Sequence, residues 1–240
     1  MRIDAQPAFV LHAQPWRETS LLLEVFTRDH GRVGLVARGI RGPKAQPLRA
    51  ALQILQPLQL GWSGRGELPF LAGAEAAGAA LTPQGDALLA AFYVNELLLR
   101  LLPRGEPQPT LFFRYIECLG ALQSGEEIGW QLRRFERDLL LGLGYGLALV
   151  HEADGVTPLS ATGVYRYDPE QGAVPVPLAR DGTVAGATLL ALAADAPPDA
   201  GGQRELRRMM RRILRHVLGG RDLRSWQVLA DLAPRRRGAD

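Results

Sequence analysis

Residues 20–38, SLLLEVFTRDHGRVGLVAR, decide the first half of the fold. Ser20 to Thr27 is an apolar run long enough for one buried strand, and Arg32 to Arg38 alternates as a half-buried strand does. Residues 29–31, Asp-His-Gly, separate the two runs with turn chemistry. The pattern therefore predicts a β-hairpin whose second strand leads into a loop rich in glycine and proline at 39–47.

Three further apolar runs flank this hairpin. They are Phe9–Leu11, Leu52–Trp62 with an interruption at Pro57, and Leu68–Ala72. Five short strands within about 80 residues, with no helix among them, are typical of a small closed barrel of the OB type. An SH3-like barrel fits the number of strands nearly as well, so the pattern alone leaves both open.

After residue 80 the apolar periodicity becomes helical. Thr82 is predicted as the N-cap of the first helix, with Pro83 at its first position. The periodic segments predict helices over residues 86–102, 111–122 and 126–143. The expected fold class is α+β, with an N-terminal OB-fold barrel at 1–80 followed by a mainly helical domain at 81–240.

The second domain contains a predicted irregular insertion at about 147–202, with a hairpin across 164–167 and 173–176 and a short helix at 189–194. A strongly amphipathic helix over 203–218 follows, with six arginines around its polar side. Three interpretations of this helix stay open. It presents arginine to nucleic acid, or its arginines are only solvated or paired to acids, or it lies on an anionic membrane.

Charge is distributed unevenly along the chain, although the net charge is only +3. Residues 1–80 carry nine Lys and Arg against six Asp and Glu, and residues 81–202 carry eight against fifteen. Residues 203–240 carry eleven against four. Basic charge is thus concentrated towards both ends of the chain, which permits local patches that attract polyanions.

Residues that could support catalysis or metal binding do not form the patterns that those functions need. The four histidines are widely separated, and the lone Cys118 cannot build a disulfide or a cysteine zinc site. No GxSxG, HExxH or P-loop pattern occurs, and the GxG at Gly142 follows a helix rather than a strand. Neither a signal peptide nor a transmembrane run is evident. We expect a cytoplasmic protein that is not an enzyme, with no cofactor and no metal.

The strongest functional signal is the basic, glycine-rich segment that begins in the second strand of the hairpin. Cations in a loop at a barrel rim can follow a phosphate backbone, and exposed aromatic rings can stack on bases. A solvated loop whose charges only aid solubility is the alternative. Trp62 is expected in the core. The candidate DNA-binding residues are Arg32, Arg38, Arg41, Lys44, Arg49 and Trp16.

A second basic cluster lies beside the apolar stripe of the predicted helix at 126–143. Arginine next to an apolar groove can hold the terminal carboxylate of a peptide. Alternatively, these arginines pair with local acids such as Glu136 and Asp138. The candidate residues for binding a partner's tail are Arg133, Arg134 and Arg137.

Several segments resemble the RecO family of DNA repair proteins. Residues 7–44 read PAFVLHAQPWRETSLLLEVFTRDHGRVGLVARGIRGPK, in which W-x-E-T-S and F-T-x-x-x-G-R are characteristic of the family. Further matches are YVNELLLRLL at 93–102, LRRFERDLLLGLGYG at 132–146 and LGGRDLRSWQVL at 218–229. The segments run from one end of the chain to the other in the family's order.

The resemblance implies a recombination mediator that binds single- and double-stranded DNA and anneals complementary strands. It implies work with RecR to load RecA onto strands covered by single-strand binding protein, by a monomer associated with the nucleoid. DNA contacts then fall on the OB domain, at Arg32, Arg38, Arg41 and Lys44. The resemblance also implies that the acidic C-terminal tail of single-strand binding protein binds to the helical domain. Arg133 and Arg134 are the candidates for its carboxylates.

One departure concerns metal. Some family members carry a four-cysteine zinc site in the insertion, whereas residues 147–202 contain no cysteine here. The sequence therefore resembles the zinc-free branch. An RNA-binding OB module is the alternative function, and a nuclease would need clustered acidic residues for divalent metal.

Overall fold

The computed structural model of the chain describes residues 2–40, 42 and 45–227. Its contacts divide into one compact unit up to Gly125 and a second that begins at Glu126. The strands of the first unit are β1 Arg2–Trp16, β2 Ser20–Thr27, β3 Gly31–Ala37, β4 Leu58–Ser63 and β5 Phe70–Ala76. Its helices are α1 Gln46–Ala51, α2 Asp86–Leu101 and α3 Pro109–Ser124.

The five strands of the first unit form a closed barrel in the order β1-β2-β3-β5-β4. The long β1 pairs with both β2 and β4, and its register shifts between Val10 and His12. A single parallel bridge, Val36 to Phe70, joins β3 to β5. This strand order confirms the OB-type prediction. The barrel core includes Val10, Leu23, Val25, Leu35, Leu60 and Trp62.

The expectation of a barrel segment without a helix is wrong at residues 46–51. Pro47 lies in the first turn of α1, where a missing N–H costs no helical hydrogen bond. The predicted strand from Leu52 begins only at Leu58, directly after Pro57. Leu52 is nonetheless buried in the barrel core, so the apolar pattern identified a core residue but assigned it to a strand.

The start of α2 also differs from the prediction. The helix begins at Asp86 after Gly85, which adopts φ +56, whereas Thr82 and Pro83 precede it. The backbone N–H of Thr82 donates to Oε1 of Gln123 at 2.7 Å instead of entering a helix. Thr82, which the local pattern predicted as the N-cap, is therefore engaged in a tertiary hydrogen bond to α3.

Four aromatic rings attach the barrel to α3. Phe9 of β1 meets Tyr115 edge-on, with ring centroids 5.2 Å apart, and Phe26 of β2 meets Phe112 at 5.3 Å. The Tyr115 hydroxyl donates to Oδ1 of Asn95 in α2 at 2.7 Å, which satisfies a buried polar group. The contacts of the first unit thus include α2 and α3 together with the barrel. The domain boundary at residue 80 stays a prediction from the sequence.

The second unit combines helices with a small sheet. It contains α4 Ile128–Gly142, β6 Val164–Asp168, β7 Gly172–Pro175, β8 Val184–Ala185, α5 Gly186–Ala193 and α6 Ala200–Val217. The sheet order is β7-β6-β8, so the predicted hairpin and the two predicted helices of this region are confirmed. The apolar faces of α4, α5 and α6 form its core, with Leu139, Leu189, Leu206, Met210 and Ile213 fully or almost fully buried.

No helix in the described part of the chain is both long and apolar enough to cross a membrane.

Candidate nucleic-acid interface

Strand pairing brings the ends of four barrel strands, β1, β2, β3 and β5, to one end of the barrel. Trp16 at the end of β1 pairs with Ser20, and Leu21 pairs with Ala37 near the end of β3. Val36 in turn bridges to Phe70 at the start of β5. Neighbouring strands lie about 4.8 Å apart, so these ends form one continuous edge. We call the exposed aromatic and basic side chains of this edge the barrel rim, namely Trp16, Arg17, Arg38, Arg65 and Phe70; Glu18 and Glu67 are exposed acids of the same connections.

The centre of the barrel rim is a stacked pair. The Arg38 guanidinium lies 3.5 Å from the centroid of the Phe70 ring, within the range of a cation–π contact. Both residues are exposed, Phe70 to 37%. The contact fixes the orientation of the planar guanidinium without neutralising its charge. The pair therefore offers a flat surface and a cation at the same place.

A second aromatic side chain is available at the barrel rim. Trp16 is 39% exposed, whereas Trp62 is 6% exposed and meets the ring of His30 edge-on at 5.2 Å. The prediction that Trp62 belongs to the core is confirmed. Trp16 has the exposure that base stacking requires.

Arg32 does not belong to the barrel rim, because its charge is engaged inside the first unit. Its Nη1 donates to the Leu99 carbonyl at 3.1 Å and approaches Oε2 of Glu24 at 3.4 Å. Arg104 binds the same carboxylate, and a side chain at Gly34 would collide with the Arg104 guanidinium. Burial lowers the pKa of Arg32. These contacts argue against the predicted phosphate contact of Arg32, which stays a prediction.

The other predicted cations have different surroundings. Arg49 is exposed on α1, which packs near β5. Within residues 2–40, 42 and 45–227, neither Arg38 nor Arg49 forms an ion pair with an acidic side chain. Arg41 and Lys44 lie outside the described residues, so their role in DNA binding stays a prediction.

Three residues of the barrel rim were missed by reasoning from the sequence: Arg17, Arg65 and Phe70. Arg65 lies in the exposed segment 64–68 between β4 and β5, whose Gly-Arg-Gly sequence is itself a signal for a basic loop. Phe70 carries no such signal. Only the bridge between β3 and β5 shows that it meets Arg38, and that pairing is distant in sequence.

Arg133 of the second cluster is a buried structural residue. It is 7% exposed, and its Nη2 donates to Oε1 of Glu136 at 2.5 Å, with Glu136 wholly buried. Arg137 likewise donates to Oδ1 of Asp138 at 2.8 Å. The alternative of local pairing therefore describes two of the three arginines, and the structure does not present Arg133 at a surface.

Arg134 and Arg137 converge on the carboxylate of Asp195, which follows α5 in a left-handed conformation with φ +55. Arg134 binds both oxygens, at 2.9 and 2.7 Å, and Arg137 binds Oδ1 at 3.0 Å. The hydrogen bonds from Arg134 hold the pKa of Asp195 below its usual range. The two arginines thus form a site that already holds a carboxylate, and it belongs to the chain itself.

Among the residues that the structure describes, no group of three or more His, Cys, Asp or Glu side chains is placed to hold a metal ion.

Known proteins match this chain along almost its whole length. The family model described as "Recombination protein O N terminal" matches residues 1–80, and "Recombination protein O C terminal" matches residues 83–227. The DNA repair protein RecO of Xanthomonas euvesicatoria pv. vesicatoria (strain 85-10) is 52% identical over 241 residues, covering 98% of this chain and 100% of the relative. The DNA repair protein RecO of Stenotrophomonas maltophilia (strain K279a) is 49% identical over 240 residues, with the same coverage. The chain therefore belongs to the RecO family of DNA repair proteins.

Proposed function

We propose that the chain is a recombination mediator that binds single- and double-stranded DNA at the barrel rim and anneals complementary strands. With RecR it helps to load RecA onto strands covered by single-strand binding protein, in the cytoplasm and at the nucleoid. The parts played by RecR and RecA rest on family membership. The structural observation that supports DNA binding is the exposed Arg38–Phe70 stack, with the exposed Trp16 at the same end of the barrel.

The barrel rim suits a flexible, negatively charged strand. Aromatic rings stack on any base, because every base has a π-face, and arginine forks bind phosphate without reading sequence. Each phosphate that is neutralised releases counterions, so the affinity is expected to fall steeply with salt. A surface with these two properties holds strands without breaking bonds. We therefore propose that the chain is not an enzyme, and an incubation of labelled DNA with Mg²⁺ or Mn²⁺ tests for cleavage.

Replacing Arg38 and Phe70 together by alanine is expected to weaken binding to an oligo(dT) strand about 10- to 100-fold. The reason is that one stacked base contributes about 1–3 kcal/mol, and about 1.4 kcal/mol is a factor of ten in affinity. Fluorescence anisotropy at low and moderate salt measures the change. Circular dichroism shows whether the barrel remains folded.

The matched control for this variant is Arg28→Ala with Phe113→Ala. It also removes one exposed arginine and one exposed aromatic ring, but Arg28 is paired with Asp29 in the β2–β3 turn and Phe113 lies on α3. Binding is expected to stay within twofold of the unmodified chain. Equal losses in both variants would contradict a site at the barrel rim. RNA of equal length tests the alternative, since an RNA-binding module would prefer it.

We further propose that Arg134 and Arg137 bind the acidic C-terminal tail of single-strand binding protein. Arginine forks bind carboxylates in a bidentate manner, as Arg134 already does with Asp195. In this proposal the tail carboxylate replaces that of Asp195. Arg133 has no direct part, because its guanidinium is buried against Glu136.

Asp195→Asn is expected to raise the affinity for a peptide ending in acidic and hydrophobic residues about fivefold. The variant removes a competing carboxylate, and an exposed ion pair is worth up to about 1 kcal/mol. Arg134→Glu is expected to abolish peptide binding and to leave the affinity for naked DNA nearly unchanged. Isothermal titration measures both.

The control for charge reversal is Arg166→Glu, on an exposed arginine of β6 in the same unit. It is expected to bind the peptide normally. If Asp195→Asn bound the peptide more weakly than the unmodified chain, Asp195 would be part of the site rather than its competitor.

A further inference from the structure

The polar side of α6 carries a continuous stripe of arginine. The exposed members are Arg204, Arg207, Arg208, Arg211 and Arg215. Their spacing of three or four residues repeats about once per helical turn, so the side chains lie along one face. We call this set the α6 ridge. It belongs to the second unit and includes no residue of the barrel rim.

The opposite face of α6 is buried in the second unit. Leu206, Met210 and Leu214 are inaccessible to solvent. Arg212, at the side of the helix, donates to the Gly182 carbonyl at 3.2 Å, and Asp199 caps the first turn by accepting from the Gly202 N–H at 2.7 Å. The helix is therefore held by its apolar face, by Arg212 and by its capped first turn, whereas the α6 ridge and His216 are exposed to solvent.

The acids near α6 leave most of the ridge charge uncompensated. Glu205 is turned away, since it accepts from Thr188 and from the Ala185 N–H, both at 3.0 Å. Asp181, which is almost fully exposed, lies 3.8 Å from Arg208. The other nearby acids are Asp222, 3.4 Å from Arg215, and Glu170, 3.5 Å from His216.

Three arginines of the α6 ridge have no acidic partner in the described part of the chain: Arg204, Arg207 and Arg211. The Arg211 guanidinium lies 4.9 Å from the centroid of the Trp226 ring, which restrains it without neutralising it. Like charges three or four residues apart destabilise a helix. The sequence nevertheless places five of them in one row on the exposed side of the helix, away from its buried apolar face.

We propose that the α6 ridge is a second DNA-binding surface, which binds the phosphate backbone independently of the barrel rim. The ridge runs from Arg204 to Arg215, which is twelve residues and about 16 Å along the helix axis. Phosphates of one B-form strand advance by about 3.4 Å, so the ridge is long enough to accompany about five of them. It contains no exposed aromatic ring, so it binds without stacking and without sequence preference.

An anionic membrane is the other polyanion that a basic amphipathic helix can bind. Binding to a membrane surface requires the apolar face of the helix to enter the lipid. In α6 that face is the core of the second unit. The burial of Leu206, Met210 and Leu214 therefore favours DNA.

The test uses the full chain with Arg204, Arg207 and Arg211 replaced by glutamine. For a duplex, the slope of log affinity against log salt is expected to become shallower by about 2 to 3, because each phosphate contact contributes about 0.9. For a single strand the change is about 2, at about 0.7 for each contact. A second variant with only Arg204→Gln and Arg207→Gln keeps the Arg211–Trp226 contact, and about two thirds of the effect is expected.

The control triple is Arg28→Gln, Arg100→Gln and Arg114→Gln, which makes the same change of net charge in the first unit, at two exposed arginines and at the partly exposed Arg28. Its salt slope is expected to remain within about 0.5 of that of the unmodified chain, since these arginines make no phosphate contact in this proposal. An unchanged slope in both glutamine variants of the ridge would overturn the proposal. So would an equal change in the control triple, which would show a general effect of charge.

Two further measurements separate this inference from the function proposed for the barrel rim and from membrane binding. In a chain that already carries Arg38→Ala and Phe70→Ala, the ridge substitutions are expected to reduce the slope by the same amount. If the substitutions at the barrel rim lowered the affinity for DNA and those at the α6 ridge did not, the proposal for the barrel rim would be supported and the one for the α6 ridge would be wrong. Sedimentation with phosphatidylglycerol vesicles is expected to show no binding of the unmodified chain. If the chain did bind the vesicles, and the ridge substitutions abolished that binding without changing the affinity for DNA, the α6 ridge would be a lipid-binding surface instead.

Discussion

Arg133→Ala is expected to lower the free energy of unfolding of the second unit by about 3–5 kcal/mol. The substitution leaves the Glu136 carboxylate, which is wholly buried, without the guanidinium that lies 2.5 Å away. A buried charge that loses its partner costs far more than an exposed ion pair contributes. Urea unfolding and amide hydrogen exchange across α4 measure the loss in the unit concerned.

Two further variants show whether the buried pair is the cause. Arg134→Ala, which breaks an exposed pair with Asp195, is expected to cost about 1 kcal/mol or less. Replacing Arg133 and Glu136 together by methionine is expected to be milder than Arg133→Ala, because no buried charge remains. A loss of tail binding in Arg133→Ala alone would then report unfolding rather than a contact with the tail. An Arg133→Ala chain as stable as Arg134→Ala would contradict the structural role.

Phe112→Ala and Phe113→Ala, at adjacent positions of α3, are expected to differ sharply in stability. Phe112 is 2% exposed and packs between Phe9 and Phe26, so truncation is expected to cost about 3–5 kcal/mol. Phe113 is 54% exposed, and its truncation is expected to change stability by about 0.5 kcal/mol or less. Thermal unfolding of the two variants under identical conditions measures the difference.

The Phe112 result also bears on how the first unit is organised. Phe9 and Phe26 belong to barrel strands, yet their rings pack against α3. A fragment that ends near residue 80 would expose both rings, so we expect it to be less stable than a fragment that ends at Gly125. Equal stability of the two fragments, or a mild effect of Phe112→Ala, would show that α2 and α3 do not stabilise the barrel.

Local patterns predicted most strands and helices because those elements have clear apolar periods. β2 and β3 were recognisable from residues 20–38, and the apolar stripe of α6 identified the face that is buried. Patterns failed where a tertiary contact decided the outcome. Thr82 resembles a cap, but its N–H donates to the side chain of Gln123.

The candidate site was harder to predict than the fold, because charge alone does not show which way a side chain turns. Arg32 and Arg38 flank the same strand, but Arg32 turns to Glu24 and Arg38 lies on Phe70. Asp195 lies 61 positions from Arg134, so no local pattern links them. An arginine that is already paired with an acid is less available to phosphate, and pairing over such distances is visible only in the folded chain.

The Arg38–Phe70 stack also has a structural role, because it connects the end of β3 to the start of β5. Only one backbone bridge closes the barrel there, whereas β2 and β3 share seven paired positions. The contact between the Arg38 guanidinium and the Phe70 ring adds a side-chain interaction where the two strands meet. Under the proposed function, substitutions of Arg38 or Phe70 are therefore expected both to weaken DNA binding and to loosen the closure between β3 and β5.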